Sequence, residues 1–334
     1  MTDTFKGYSL GVAAAASYGL NPLFALPLLS AGIDAYSVLF LRYFFAVPML
    51  AVMMIARGRG FGLRRGQVVP LAVLGILMAF SSLTLYMSYA YIGAAIASTL
   101  LFIYPILVTL IMALFYHEHV SRLTVVCILL ATAGIGLLYR GDDGAVLNPY
   151  GLLLVFLSAL SYAIYLVAVN RGQMKEIPTL KLTLYVIAFG LLLFAFRFRT
   201  ETFAILSSNP WLWLSAFSMA LFPTAISLIC TSAAIHKIGS TPVAILGAME
   251  PVTAVAIAIL IFNEVLTLRL AVGMLLVIAS VTLIIAGGSI THHLLRVRKM
   301  FPRLKRRRKD PPRPSGTPPV REGPAGSGEM RNDE

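Results

Sequence analysis

The chain has 334 residues, of which 58% are apolar and only 12% charged, and it carries a net charge of +13. Soluble globular domains hold roughly 25% charged residues, so about half the usual charge is missing and an ordinary soluble fold is excluded. The basic excess divides into +6 for residues 1–290 and +7 for the remainder, which leaves no folded basic domain to host nucleic acid.

Uncharged stretches such as 71–92 and 123–139 match the ~20 apolar residues that cross a ~30 Å hydrocarbon core as a helix. In chain order the pattern predicts transmembrane helices over 7–29, 34–56, 68–90, 94–115, 121–139, 149–169, 180–196, 211–234, 240–262 and 268–288. The first run follows Lys6 and, at roughly 23 residues, exceeds the 7–15 of a secretory h-region, so it is expected to be retained as a span. Breaker chemistry separates the runs: Ser30-Ala31-Gly32, Arg57-Gly58-Arg59-Gly60, Gly141-Asp142-Asp143-Gly144 and Ser207-Ser208-Asn209-Pro210. No strand-like alternation survives between them, and the expected class is all-α integral membrane. Cys127 and Cys230 both sit inside apolar runs, with neither a disulfide framework nor metal-ligand spacing.

From Arg296 the composition changes. Arg303, Lys305, Arg306, Arg307, Arg308 and Lys309 form a juxtamembrane cluster, followed by a Pro- and Gly-rich stretch too polar to build a core. Residues 291–334 are expected to be a disordered cytoplasmic tail whose basic cluster can meet anionic lipid headgroups.

Loop charges set the orientation. With ten spans and the N-terminus inside, one side receives Lys6, Arg57, Arg59, Arg64, Arg65, Arg122, Arg171, Lys175, Lys181 and Lys237, and the other Arg140, Arg197, Arg199 and Arg269. The positive-inside rule makes the richer side cytoplasmic, with both termini on it.

The chain also repeats itself. Gly93, Pro105 and Glu118 recur as Gly239, Pro251 and Glu264 at a constant offset of 146, while Gly7 and Ser17-Tyr18 recur as Gly151 and Ser161-Tyr162 at 144. Two units, 7–140 and 149–288, are therefore expected. Five spans each is an odd number, so the second must enter the membrane in the opposite sense, the inverted plan common in secondary transporters.

On these residues the chain resembles the EamA-type transporters of the drug/metabolite transporter superfamily. Ile92-Gly93, Pro105 and Glu118 carry the likeness in the first half and Ile238-Gly239, Glu250-Pro251 and Glu264 in the second. The stretch Leu39-Phe40-Leu41-Arg42-Tyr43 is similar to the family's arginine-bearing second helix. The resemblance spans about residues 7–288 and implies a metabolite transporter, often an exporter of amino acids, without naming a substrate.

Glu250 is the leading candidate for chemistry. It lies near the middle of the ninth span, where a charge costs ~2.5–3.5 kcal/mol even on insertion scales, so it should face a water-filled cavity or a partner; a hydrogen bond to a neighbouring helix beside Pro251 is the plainer alternative. Arg42 is expected to snorkel or to bond backbone carbonyls rather than pair with Glu250 or substrate. Glu118 and Glu264, just past their helices, suit capping. Polar and aromatic stripes at helical spacing, Ser82-Tyr86-Tyr89, Ser158-Tyr162-Tyr165 and Thr224-Ser227-Thr231, should point inward because lipid offers hydroxyls no partner, although such residues also serve as helix–helix glue. Asn21 precedes Pro22, which frees a backbone carbonyl. The candidate substrate-binding set is Asn21, Tyr86, Tyr162, Tyr165, Ser227 and Glu250. His117-Glu118-His119 lacks metal-binding spacing, no phosphate-cradling loop is present, and no cofactor or enzyme activity is expected. The reading is secondary transport of a small organic solute by alternating access, outward rather than inward, with a receptor, scaffold or passive channel as alternatives.

Overall fold

The computed structural model describes residues 3–117, 122–139, 147–169, 174, 176–265 and 267–283. Glu118, His119, the 141–144 separator and the tail from residue 291 lie outside the described residues.

Among the described residues the chain is helical, without strands. The helices are α1 Asp3–Gly19, α2 Asn21–Ser30, α3 Ala35–Ala56, α4 Arg65–Ile92, α5 Ala94–Leu101, α6 Tyr104–Tyr116, α7 Arg122–Tyr139, α8 Pro149–Val169, α9 Thr179–Ala195, α10 Glu201–Ser208, α11 Pro210–Ala220, α12 Ser227–Ile238, α13 Ser240–Leu246 and α14 Met249–Leu260, then α15 Leu268–Leu283. Among the described residues six stretches are long and apolar enough to cross a membrane: Asp3–Ser30, Ala35–Ala56, Arg65–Ile92, Ala94–Tyr116, Pro149–Val169 and Pro210–Ile238. Shorter apolar helices occupy Val125–Leu137, Thr179–Ala195, Met249–Leu260 and Leu268–Leu283.

Four of the expected continuous spans are interrupted, each for a readable reason. The first breaks at Leu20, because Pro22 has no N–H to carry α1 into α2. The fourth breaks at Phe102–Ile103 ahead of Pro105, and the ninth at Gly247–Ala248 ahead of Pro251. The eighth loosens into a π-helical turn, Leu221–Ile226, around Pro223; such bulges concentrate at functional sites. The sequence reading also gave no helix to 201–208, which forms α10 in the connection before Asn209. Asn209 caps α11 by accepting from the Trp211 N–H.

Polarity runs inside out relative to a soluble protein. Ser37, Arg42, Ser81, Ser82, Thr84 and Ser88 are buried, whereas Val52, Val69, Leu114, Phe115 and Leu260 are exposed, as helices facing hydrocarbon require. Hydroxyls bind the helices together: Ser158 donates to the Ser81 carbonyl (2.7 Å) and Ser81 to the Ser158 carbonyl (3.0 Å).

Small residues permit close crossings. A Cβ on Gly7 would sit 2.4 Å from Ile238 Cγ2, and one on Gly151 2.7 Å from Ile92 Cγ2. One end of the bundle thus joins the start of α1 to the end of α12, where Lys237 also pairs with Asp3 at 2.8 Å. The other joins the start of α8 to the end of α4. At Gly93 and Gly239 the chain turns with φ +74 and +86, which glycine alone adopts without strain, and each N–H closes its helix on Tyr89 and Ile235 respectively.

Candidate functional site

The interrupted helices meet at the centre. Tyr18 lies near the end of α1, Asn21 and Tyr104 open α2 and α6, and Glu250 stands in the first turn of α14, where the helix dipole favours a negative charge. Gly19 makes the approach possible, since a Cβ there would lie 2.5 Å from the Glu250 carbonyl oxygen.

Three spaces follow one another through this centre. A cavity of about 580 Å³ runs from Tyr18, Tyr104, Tyr162 and Glu250 to Gly11 and Ile235, towards the end where α1 begins and α12 ends. The same four residues line a neck of only about 30 Å³, together with Asn21, Arg42 and Tyr86. Tyr86 also walls a second cavity, about 590 Å³ and largely apolar, between Leu26, Leu29, Tyr89 and Phe262. A side space of about 240 Å³ adds Tyr43, Tyr165, Thr224 and Thr231.

The neck is held by a chain of side-chain hydrogen bonds. Arg42 Nη1 donates to Tyr86 Oη (3.2 Å) and Nε to Thr224 Oγ1 (3.4 Å). The Tyr86 hydroxyl stands 3.2 Å from Asn21 Oδ1 and 3.5 Å from Met219 Sδ, either of which can accept its proton. Arg42 is 6% exposed, so it does not snorkel as expected, and its hydrogen bonds run to side chains rather than carbonyls because α3 places it at the bundle centre. It makes no ion pair with Glu250. Among the described residues nothing hydrogen-bonds or pairs with the Glu250 carboxylate, which meets open space. Tyr104 and Tyr162 line the same spaces and meet edge-to-face with ring centroids 4.7 Å apart, and Tyr165 stacks on Tyr162 at 5.9 Å.

All six sequence candidates border these spaces. Asn21, Tyr86, Tyr162 and Glu250 line the neck, Ser227 faces the 580 Å³ cavity, and Tyr165 faces the side space. Ser227 donates to the Ala14 carbonyl at 2.9 Å, so it also ties α12 to α1. Tyr18, Tyr43 and Tyr104 were missed as site residues. A signal for two of them existed, since Tyr18 matches Tyr162 at the offset of 144 and Tyr104 matches Glu250 at 146.

The EamA-like transporter family profile matches residues 5–140 and again 149–286. The chain belongs to the EamA-like transporter family. Its membership agrees with the likeness to the drug/metabolite transporter superfamily carried by the Gly, Pro and Glu positions. An uncharacterized transporter of Archaeoglobus fulgidus is 28% identical over 258 residues, covering 75% of this chain and 86% of the relative. The uncharacterized transporter YvbV of Bacillus subtilis is 23% identical over 239 residues, 70% of this chain and 78% of its own. A protein of known crystal structure shares the fold with a TM-score of 0.57 at 17% identity, over 88% of this chain and 98% of that one. This EamA-like protein is thus an integral membrane protein with transporter relatives.

Proposed function

We propose that this EamA-like protein is a secondary transporter that moves a small organic solute across the cell membrane by alternating access, with export as its main direction. The observation that carries the reading is the series of spaces through the bundle: two cavities of about 580 and 590 Å³ separated by a neck of about 30 Å³. Small-molecule sites occupy about 300–1,000 Å³, so either cavity suits a metabolite, whereas the neck admits only a water or two. That arrangement describes a carrier with one side closed better than an open pore.

The ten-span, two-unit plan with inverted halves supports the mechanism. The six long and four shorter apolar helices fall on the ten expected spans, and the family profile matches two successive stretches. Reciprocal packing agrees: Gly7 of the first half meets Ile238 of the second, and Gly151 of the second meets Ile92 of the first. On this plan Tyr18 and Tyr162 are equivalent, as are Tyr104 and Glu250, and all four surround the neck. A centre built from equivalent positions can close towards one side or the other by rearranging the halves.

The charge asymmetry of the loops supports cytoplasmic termini, which turns the 580 Å³ cavity towards the cytoplasm; the preference for export rests on the family resemblance. Asn21, Tyr86, Tyr162, Tyr165, Ser227 and Glu250 are assigned as substrate-binding. Counterflow in proteoliposomes tests the function. A carrier accelerates entry of labelled solute when unlabelled solute is trapped inside, and simple diffusive flux across the whole metabolite panel would reject the reading.

A further inference from the structure

We infer that the cytoplasm-facing cavity is a site for an organic monocation, an amine carried on an apolar or aromatic body, with the Glu250 carboxylate as counter-ion and the rings of Tyr18, Tyr104 and Tyr162 around it. The inference rests on the transport reading and names the chemical class of its substrate.

The cavity's walls come from α1, α6, α8, α12, α13 and α14, and among the described residues lining it Glu250 is the one carboxylic acid, with no Lys, Arg or His beside it. Its carboxylate has no hydrogen-bond or ion-pair partner among the described residues, although burying an unpaired charge is costly. The first turn of α14 favours the anion but contributes no counter-charge. A cation arriving in the cavity supplies the missing partner.

The surroundings suit a cation with an apolar body. Tyr18, Tyr104 and Tyr162 present aromatic rings, and ring faces attract cations. Around them Val108, Leu166 and Val243 offer apolar wall, while Thr109 and Thr231 add hydroxyls.

Among the described residues Arg42 is the buried positive charge whose field reaches Glu250 across the neck, but it makes no ion pair with it and leaves the direct contacts of the carboxyl to a ligand. Its guanidinium is engaged with Tyr86 and Thr224, and it borders the neck and the side space rather than this cavity. The roughly 30 Å³ of the neck holds a water or two but not the carboxylate of a ligand. A zwitterion therefore gains the Glu250 contact without an equivalent contact for its acid group.

The halves differ where it matters. At the position before the proline, the first half carries Tyr104 and the second Glu250. One equivalent pair thus supplies both a ring and a carboxyl, and among the described residues lining the centre Glu250 is the single acid, which fits a single positive charge.

The test uses four probes of similar size on the purified full-length protein: tryptamine, tryptophol, tryptophan and indole-3-acetate, measured by equilibrium binding. Tryptamine should bind at least tenfold more tightly than each of the others, and Glu250→Gln should abolish that preference. Tyr104→Phe, which keeps the ring, should retain tryptamine, whereas Tyr104→Leu should weaken it severalfold. Equal binding of tryptophol and tryptamine, preference for the anion or the zwitterion, or binding of none of the four would each overturn the inference, and the wild-type comparison decides this even if a variant fails to fold. Counterflow separates the two readings. Exchange of a neutral or anionic solute would leave transport standing without the cation site, while saturable tryptamine binding without exchange would do the reverse.

Discussion

Glu264 and Ala94 lie 170 residues apart in the chain, yet the Glu264 carboxylate accepts the Ala94 N–H at 2.9 Å and the Ala95 N–H at 3.2 Å. This acid, which follows α14 in the chain, closes the open N–H groups at the buried start of α5, immediately after the Gly93 turn. Loss of a helix N-cap costs about 0.5–2 kcal/mol, and charge-assisted bonds lie at the stronger end. Glu264→Ala should therefore lower the melting temperature in detergent by a few degrees, with Glu264→Gln intermediate because one acceptor oxygen survives. Equal melting of wild type and Glu264→Ala would remove this contact from the forces that hold α5 against the end of α14.

The all-helical membrane class, the six long apolar spans and the capping role of Glu264 were legible in the sequence because hydrocarbon imposes a strong local rule: apolar runs of fixed length, and polar groups only where something satisfies them. Hence the stripe from Ser82 to Tyr89 faces inward. The helix interruptions were less legible. Pro22, Pro105 and Pro251 announced trouble, but whether a proline kinks a helix or divides it depends on neighbours the sequence does not name. Arg42 was misread for a related reason. Depth along a span suggests snorkelling, while its rotation about α3 places it against Tyr86 and Thr224. Tyr43 gave no local signal at all, being one aromatic among several in an apolar run.

A second expectation concerns the close crossing at Gly19. A Cβ there would meet the Glu250 carbonyl oxygen at 2.5 Å and Thr253 Cβ at 2.7 Å, both fixed parts of α14. Gly19→Ala should push α1 from α14 and destabilise the protein by about 1–3 kcal/mol, as overpacking does. Gly60→Ala is the control, since a Cβ at Gly60 meets nothing within 4 Å. Matching thermal melts for the two variants would contradict the packing described.

Tyr86 should be a stability determinant of the closed neck. Tyr86→Phe removes the hydroxyl that accepts from Arg42 Nη1 and bonds towards Asn21, leaving buried polar groups short of partners at a cost of about 1–3 kcal/mol. The expected result is a melting temperature lower by a few degrees and a weaker barrier between the cavities. The barrier can be read from faster reaction of a cysteine placed at Met87, in a Cys127- and Cys230-free background, with a thiol reagent supplied from the cytoplasmic side. Unchanged melting and unchanged labelling would show that the ring alone closes the neck.

Topology can be checked independently of transport. The loop holding Arg57–Arg65 and the segment after Ile290 are expected on the cytoplasmic side. Cysteines at Gly60 and Ser315 in the cysteine-free background should both resist an impermeant thiol reagent in intact cells. Labelling at only one of them would overturn the ten-span count.

The last expectation joins Glu250 to energy coupling. Its carboxylate faces both the cavity and the neck without a partner among the described residues, so a proton and a cationic solute compete for the same oxygens. Lowering the pH should weaken apparent solute affinity as protonation removes the counter-charge, and a proton arriving from the outside should release the solute there. An inward proton gradient would then drive solute outward. Glu250→Gln preserves shape and hydrogen-bonding capacity but cannot titrate, so it should fold, lose pH-gradient-driven accumulation in inside-out vesicles, and show no change of affinity with pH. Arg42→Gln separates this from a fixed ion pair. Arg42 bonds Tyr86 and Thr224 rather than Glu250, so its loss should lower stability instead of reproducing the uncoupled phenotype. Identical phenotypes for the two variants would favour an Arg42–Glu250 pair in some state of the cycle, and undiminished gradient-driven transport by a stable Glu250→Gln protein would end the coupling idea.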